Sequence, residues 1–197
     1  MMVLDKVSGQ ACLLSSPDIN TDQIIPARFL MRSRSEDYSK LLFHDMRFRA
    51  DRVEAAGFPI CSDLAGKMPF LVAGRNFGCG SAREQAVWAL ADFGFRVILA
   101  ESFGGIFEAN CIENGLLPIR LPASIATCLM ADLAEAPDTL VHVDLERQEL
   151  RSGEGRPARF EVAQAWKQRL LTGMDSIALT LQHLDVIVEY EQRSGKA

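Results

Sequence analysis

Gly74-Arg75-Asn76-Phe77-Gly78-Cys79-Gly80-Ser81-Ala82-Arg83-Glu84-Gln85 follows the apolar run Pro69 to Ala73 and leads into a helical pattern. An apolar run, three glycines and then Ser-x-Arg-Glu read as a strand handing over to a helix. Glycine lets backbone N–H groups come close to a ligand, and a helix start adds unpaired donors at the positive end of its dipole. The junction therefore suits an anion. Arg83 adds a planar fork that can hold a carboxylate through two hydrogen bonds. A second reading needs no ligand, because Ser81 with Glu84 three positions later forms a capping box. The stretch lacks the Lys-Ser/Thr ending of a P-loop, and no second signal supports a dinucleotide fingerprint.

Outward from this junction the chain alternates. Gln10 to Leu14 reads as a strand, followed by a polar stretch from Ser15 to Asp22 and a short apolar run to Pro26. Ala27 to Ser39, rich in arginine and serine, reads as a surface loop, with a short helix near Glu36 to Phe43. Then come strand Pro69 to Ala73, helix Ser81 to Phe93, strand Phe95 to Ala100, helix Phe103 to Asn114 closed by Gly115, and strand Leu116 to Arg120. That order predicts an α/β fold with parallel strands and right-handed helical crossovers. A helix from Ile125 to Ala136 with Ser124 as its N-cap precedes a half-buried strand, Leu140 to Leu150. Gly153 and Gly155 make the turn to a return strand, Ala158 to Val162, and Ala163 to Tyr190 is helical with a break at Gly173.

The chain has 197 residues, 48% hydrophobic and 24% charged, enough for one well-buried core in a soluble protein. No apolar run approaches the roughly 20 residues that cross a bilayer, and the start lacks the apolar stretch of a signal peptide, which places the chain in the cytoplasm. A net charge of −5 without a long basic cluster argues against nucleic-acid binding. Cys12, Cys61, Cys79, Cys111 and Cys128 are scattered with no Cys-x-x-Cys pair, so they read as reduced residues rather than a disulfide framework or an iron–sulfur site. His44, His142 and His183 form no metal-ligand motif, and no metal site is expected.

Gly78-Cys79-Gly80-Ser81-Ala82-Arg83-Glu84, Asn20-Thr21-Asp22-Gln23-Ile24-Ile25-Pro26 and Asp175-Ser176-Ile177-Ala178-Leu179-Thr180-Leu181-Gln182-His183 together resemble the small subunits of 3-isopropylmalate dehydratase, of the aconitase superfamily. The likeness spans nearly the whole chain. It implies a three-layer β/β/α swivelling domain over residues 1–197, with the C-terminal hairpin and helices as an appendage. It also implies a large partner subunit, in a heterodimer or heterotetramer, that carries a 4Fe-4S cluster while this chain binds no cofactor. In the family a serine matching Ser81 removes the proton beside a substrate carboxylate, and the partner's cluster removes the hydroxyl. Arg83 matches the carboxylate-binding arginine. Gly80, Thr21 and Asp22 match further site positions, and the loop carrying Arg28, Arg32 and Arg34 matches the region that helps choose the substrate's side chain.

Two positions depart from the family pattern Ser-Ser-Arg-Glu-His: Ala82 replaces the second serine and Gln85 the histidine. A lost hydroxyl that bonded a charged substrate group would cost about 1.5–3 kcal/mol. Three functions therefore stand open: isomerisation of 2-isopropylmalate to 3-isopropylmalate in leucine biosynthesis, the same chemistry on methylmalate, dimethylmalate or a homologue, and a non-catalytic relative. Cys79, between two glycines, is a candidate reactive thiol.

Overall fold

In the computed structural model the described residues are 3–51, 53–81 and 83–195, so Ala82 lies outside them. In chain order the elements are β1 (Lys6–Gly9), β2 (Ala11–Leu14), α1 (Thr21–Ile24), α2 (His44–Arg47), β3 (Phe70–Ala73), α3 (Glu84–Phe93), β4 (Val97–Ala100), α4 (Gly105–Glu113), β5 (Leu117–Arg120), α5 (Ala123–Glu135), β6 (Val141–Asp144), β7 (Glu149–Ser152), β8 (Ala158–Arg159), α6 (Gln164–Thr172), α7 (Ser176–Leu181) and α8 (Leu184–Ser194).

β2, β3, β4 and β5 form a parallel sheet in that order, buried on both faces. Such strands read as continuous apolar runs because side chains on both faces meet apolar layers. Phe70, Val72, Val97, Leu99, Leu117 and Ile119 turn to one side, where they pack with Val141, Val143 and Leu150 of a second, antiparallel sheet in the order β1, β6, β7, β8. Leu71, Ala73, Ile98 and Ala100 turn to the other side and pack with Ala86, Val87 and Leu90 of α3 and Phe107 and Cys111 of α4. The parallel sheet is thus the middle layer of a β/β/α stack, as the resemblance implied.

Several local expectations need correction. β1 was not foreseen, because Lys-Val-Ser-Gly carries one inward apolar residue and gains its place only by pairing with β6. The single strand drawn from Leu140 to Leu150 is two strands, split where the Asp144 carboxylate accepts the Arg147 N–H at 2.8 Å and Gln148 turns left-handed. The hairpin is joined through β1 to the shared core. α5 starts at Ala123 after Pro122, with no side-chain cap from Ser124, since proline has no N–H to leave unpaired at a helix start. The short helix expected near Glu36 to Phe43 is a 3₁₀ turn, Tyr38–Leu41.

α3 ends at Gly94, whose φ of 113° is left-handed, and a Cβ there would stand 2.7 Å from the Gly66 Cα. Replacement of Gly94 by Ala meets both a forbidden backbone region and a backbone clash. Gly94→Ala should lose about 2 kcal/mol or more in urea unfolding, with an unchanged slope against denaturant.

Candidate active site

Two stretches some distance apart in the chain meet here. Gly78 N–H donates to Ile19 O at 2.8 Å, Thr21 N–H to Cys79 O at 3.0 Å, and Asp18 N–H to Arg75 O at 2.9 Å. Asn20 and Cys79 pair as a parallel bridge. Asn76 Nδ2 donates to Asp18 Oδ1 at 2.9 Å, and the Asn76 N–H donates to Ser102 Oγ at 2.9 Å, which adds the segment after β4. At Gly78, with φ of 70°, a Cβ would lie 2.2 Å from Cγ of Phe107, so no other residue fits without moving α4.

Ser81 lies exposed on the rim of this junction. The helix expected to start at Ser81 starts at Glu84, with Arg83 at the cap position, extended, and no side chain capping it. The Ser81–Glu84 capping box therefore does not form, and Glu84 instead accepts a bond from Asn114 Nδ2 at 3.1 Å. The box is built by Asn20 and Gln23: the Gln23 N–H donates to Asn20 Oδ1 and the Asn20 N–H to Gln23 Oε1, each at 2.9 Å. The Ser81 hydroxyl is thereby left for other work.

Arg83 Nη1 donates across the junction to Asp22 in an ion pair. Asp22 is about half exposed, at 49%, so any anion approaching Arg83 would meet this partner and have to share the guanidinium with it or displace it. Thr21 is fully buried one residue earlier, with its hydroxyl near Gly80. Gly80 holds φ of 87°, a conformation glycine adopts without strain.

The bonds of Arg28 run elsewhere, to α2. Its guanidinium donates to the Asp45 carboxylate, including Nη1 to Oδ2 at 2.8 Å, meets His44 Nδ1 at 3.1 Å, and lies 4.6 Å over the Phe29 ring. A groove of about 650 Å³ runs beside it, walled by Phe29, Arg32, Lys40, His44 and Phe48. Arg34 forks onto the Asp92 carboxylate of α3 at 2.9 and 2.8 Å, and Asp92 also accepts the Tyr38 N–H at 3.2 Å. The segment stays on the surface, with Arg28, Arg32 and Arg34 each about half exposed, and is fastened to both α2 and α3.

Among the described residues no three His, Cys, Asp or Glu gather as a metal site. Burial pushes the Cys12 thiol up to about 12 and the Cys111 thiol well above its usual range, the reverse of what a thiolate ligand needs. The Cys79 thiol donates to Asp18 O at 3.5 Å. Asp18, Asp92 and Ser102 were absent from the sequence reading. Pro17-Asp18 carries a turn signal, but nothing local marks Asp92 or Ser102 as site supports.

A two-sheet domain with helices packed on its central parallel sheet, offering a serine that follows a glycine and an arginine beyond the ends of its parallel strands, belongs to the swivelling β/β/α class. Residues 1–124 match the aconitase C-terminal domain family. The small subunit of 3-isopropylmalate dehydratase from Shouchella clausii is 44% identical over 95% of this chain and 94% of its own length. The Bacillus subtilis small subunit is 41% identical over 99% and 98%. A crystal structure of 3-isopropylmalate dehydratase from Methanocaldococcus jannaschii matches with a TM-score of 0.65 at 25% identity, covering 94% of this chain and 99% of that one. The chain belongs to the aconitase C-terminal domain family, among the 3-isopropylmalate dehydratase small subunits.

The hydrogen bond from Arg28, helped by His44, lowers the Asp45 pKa to about 2. A carboxyl with a depressed folded-state pKa contributes stability above its unfolded value, near 3.9, and loses it as pH falls through the folded one. The tie from Arg28 to α2 should therefore hold at pH 5 and release between about pH 4 and pH 2. Carboxyl NMR of Asp45 should give a midpoint near 2, returning towards 4 in Arg28→Ala; because the pair is exposed, global stability should change little.

Proposed function

We propose that this chain is the small subunit of a two-chain hydro-lyase that interconverts 2-isopropylmalate and 3-isopropylmalate by dehydration and rehydration, in leucine biosynthesis in the cytoplasm, and is active only with its large subunit. Residues 1–197 act as one swivelling domain in a heterodimer or heterotetramer whose 4Fe-4S cluster belongs to the large subunit. The observation that carries the reading is Ser81, exposed and unused as a cap, on the same rim as the guanidinium of Arg83.

Arg83 holds a substrate carboxylate with its N–H fork while Asp22 keeps that fork aimed across the rim. Gly80 lets backbone donors approach the substrate. Ser81 takes the proton beside the carboxylate and returns it on rehydration, so the isomerisation is proton-neutral overall. A serine oxygen serves as a base where backbone donors and a nearby guanidinium stabilise its anion and water is excluded. Arg28, tied to Asp45, shapes the groove beside the loop and with it the choice of substrate substituent.

Gln85, standing where the family pattern has histidine, favours a second reading in which the same chemistry acts on methylmalate, dimethylmalate or a homologue. Turnover across a panel of these acids by the reconstituted pair decides between them. In that pair Ser81→Ala should lower kcat about 10²- to 10⁴-fold with little change in KM. Arg83→Lys should mainly raise KM, because a lysine cannot form the fork. Full activity in Ser81→Ala would remove the base assignment.

A further inference from the structure

The molecule leaves one polar group at the site unaccounted for. Thr21 is 0% exposed, and among the described residues its hydroxyl has no hydrogen-bond partner. The backbone of Thr21 is fully committed to the junction, its N–H donating to Cys79 O and its carbonyl accepting the Ile25 N–H. The side chain stands against the residue just before Ser81: a Cβ added at Gly80 would lie 4.0 Å from Thr21 Oγ1 and 3.5 Å from the Asn20 Cβ. Gly80 is therefore not jammed, whereas a Cβ at Gly78 or Gly104 would strike its neighbours at 2.2 and 2.5 Å.

A buried hydroxyl without a partner destabilises the fold, and valine would fill the same shape without that cost. An orphan of this kind, beside open space at Gly80 and next to the proposed base, marks a donor whose acceptor arrives with the working state. We propose that Thr21 is a positioning residue whose hydroxyl donates to the Ser81 alkoxide when substrate is bound. The Thr21 proton stays on its own oxygen throughout, and the substrate proton alone moves to and from Ser81. The hydrogen bond favours the charged form of Ser81 and aims it. This rests on the assignment of Ser81 as the base.

The test uses the full two-chain enzyme with Thr21→Val, Thr21→Ser and Ser81→Ala assayed side by side. Thr21→Val should raise the melting temperature of the isolated chain by about 2–4 °C, as an unsatisfied buried group is removed. In the complex it should lower kcat about ten- to a hundredfold at unchanged KM, and move the rise of kcat with pH upward by about one to two units. Thr21→Ser, which keeps the hydroxyl, should restore both kcat and the profile. The proposal is overturned if Thr21→Val keeps kcat within twofold, if its loss falls on KM, or if activity falls with a lower melting temperature that serine does not rescue. Ser81→Ala separates the two levels: an inactive Ser81→Ala beside a fully active Thr21→Val removes only the role of Thr21, whereas an active Ser81→Ala removes the base itself.

Discussion

The backbone bonds that join residues 18–21 to residues 75–79 are the constraint on which the site depends. β2 and β3 are parallel neighbours, so the segments leaving their C-terminal ends emerge at the same edge of the sheet, and Ser102 and Gly104 arrive there from β4. In open α/β sheets this carboxyl edge is where ligand sites form, because loops from several strands converge on it. Here the convergence is tightened to backbone contact, with Gly78 between Ile19 and Phe107. Ser81 and Arg83 hang from that knot, and their positions follow from it rather than from α3.

The middle layer was legible because burial on both faces writes itself as unbroken apolar sequence. Phe70 to Ala73 and Val97 to Ala100 are buried throughout, and each alternates its side chains between the two cores. β1 has no such signature. Lys6 and Ser8 face outward, and Val7 alone packs inward, so the strand exists because β6 offers it a partner. The break between β6 and β7 is likewise a matter of one side chain, Asp144, whose bond to the Arg147 backbone outweighs the strand pattern around it.

Spacing alone suggested a capping box at Ser81 and Glu84, and the one that forms is at Asn20 and Gln23. Ser81 with Glu84 and Asn20 with Gln23 have the same interval, and each precedes a helical stretch. What separates them is long-range: Arg83, itself extended, is drawn across to Asp22, and Glu84 is engaged by Asn114. Family motifs pointed to Ser81 and Arg83 as candidates, but the supports that hold the neighbouring loop come from far along the chain, as Asp92 does for Arg34. Side chains separated by 58 residues leave no local pattern to read.

The same geometry explains why such a domain works as half of an enzyme. Two unit charges 4 Å apart attract by about 1 kcal/mol in bulk water and about 4 kcal/mol at an effective dielectric constant near 20. On an exposed rim, with Asp22 half open to solvent, water screens whatever charge pairs with Arg83. Burying Ser81 within this chain would block substrate entry, because the junction beneath it is filled by Phe107 and laced by backbone bonds. Water can be excluded only by a surface that arrives with the substrate and then leaves. The relatives are named as small subunits, and a partner chain laid over this rim would be such a surface.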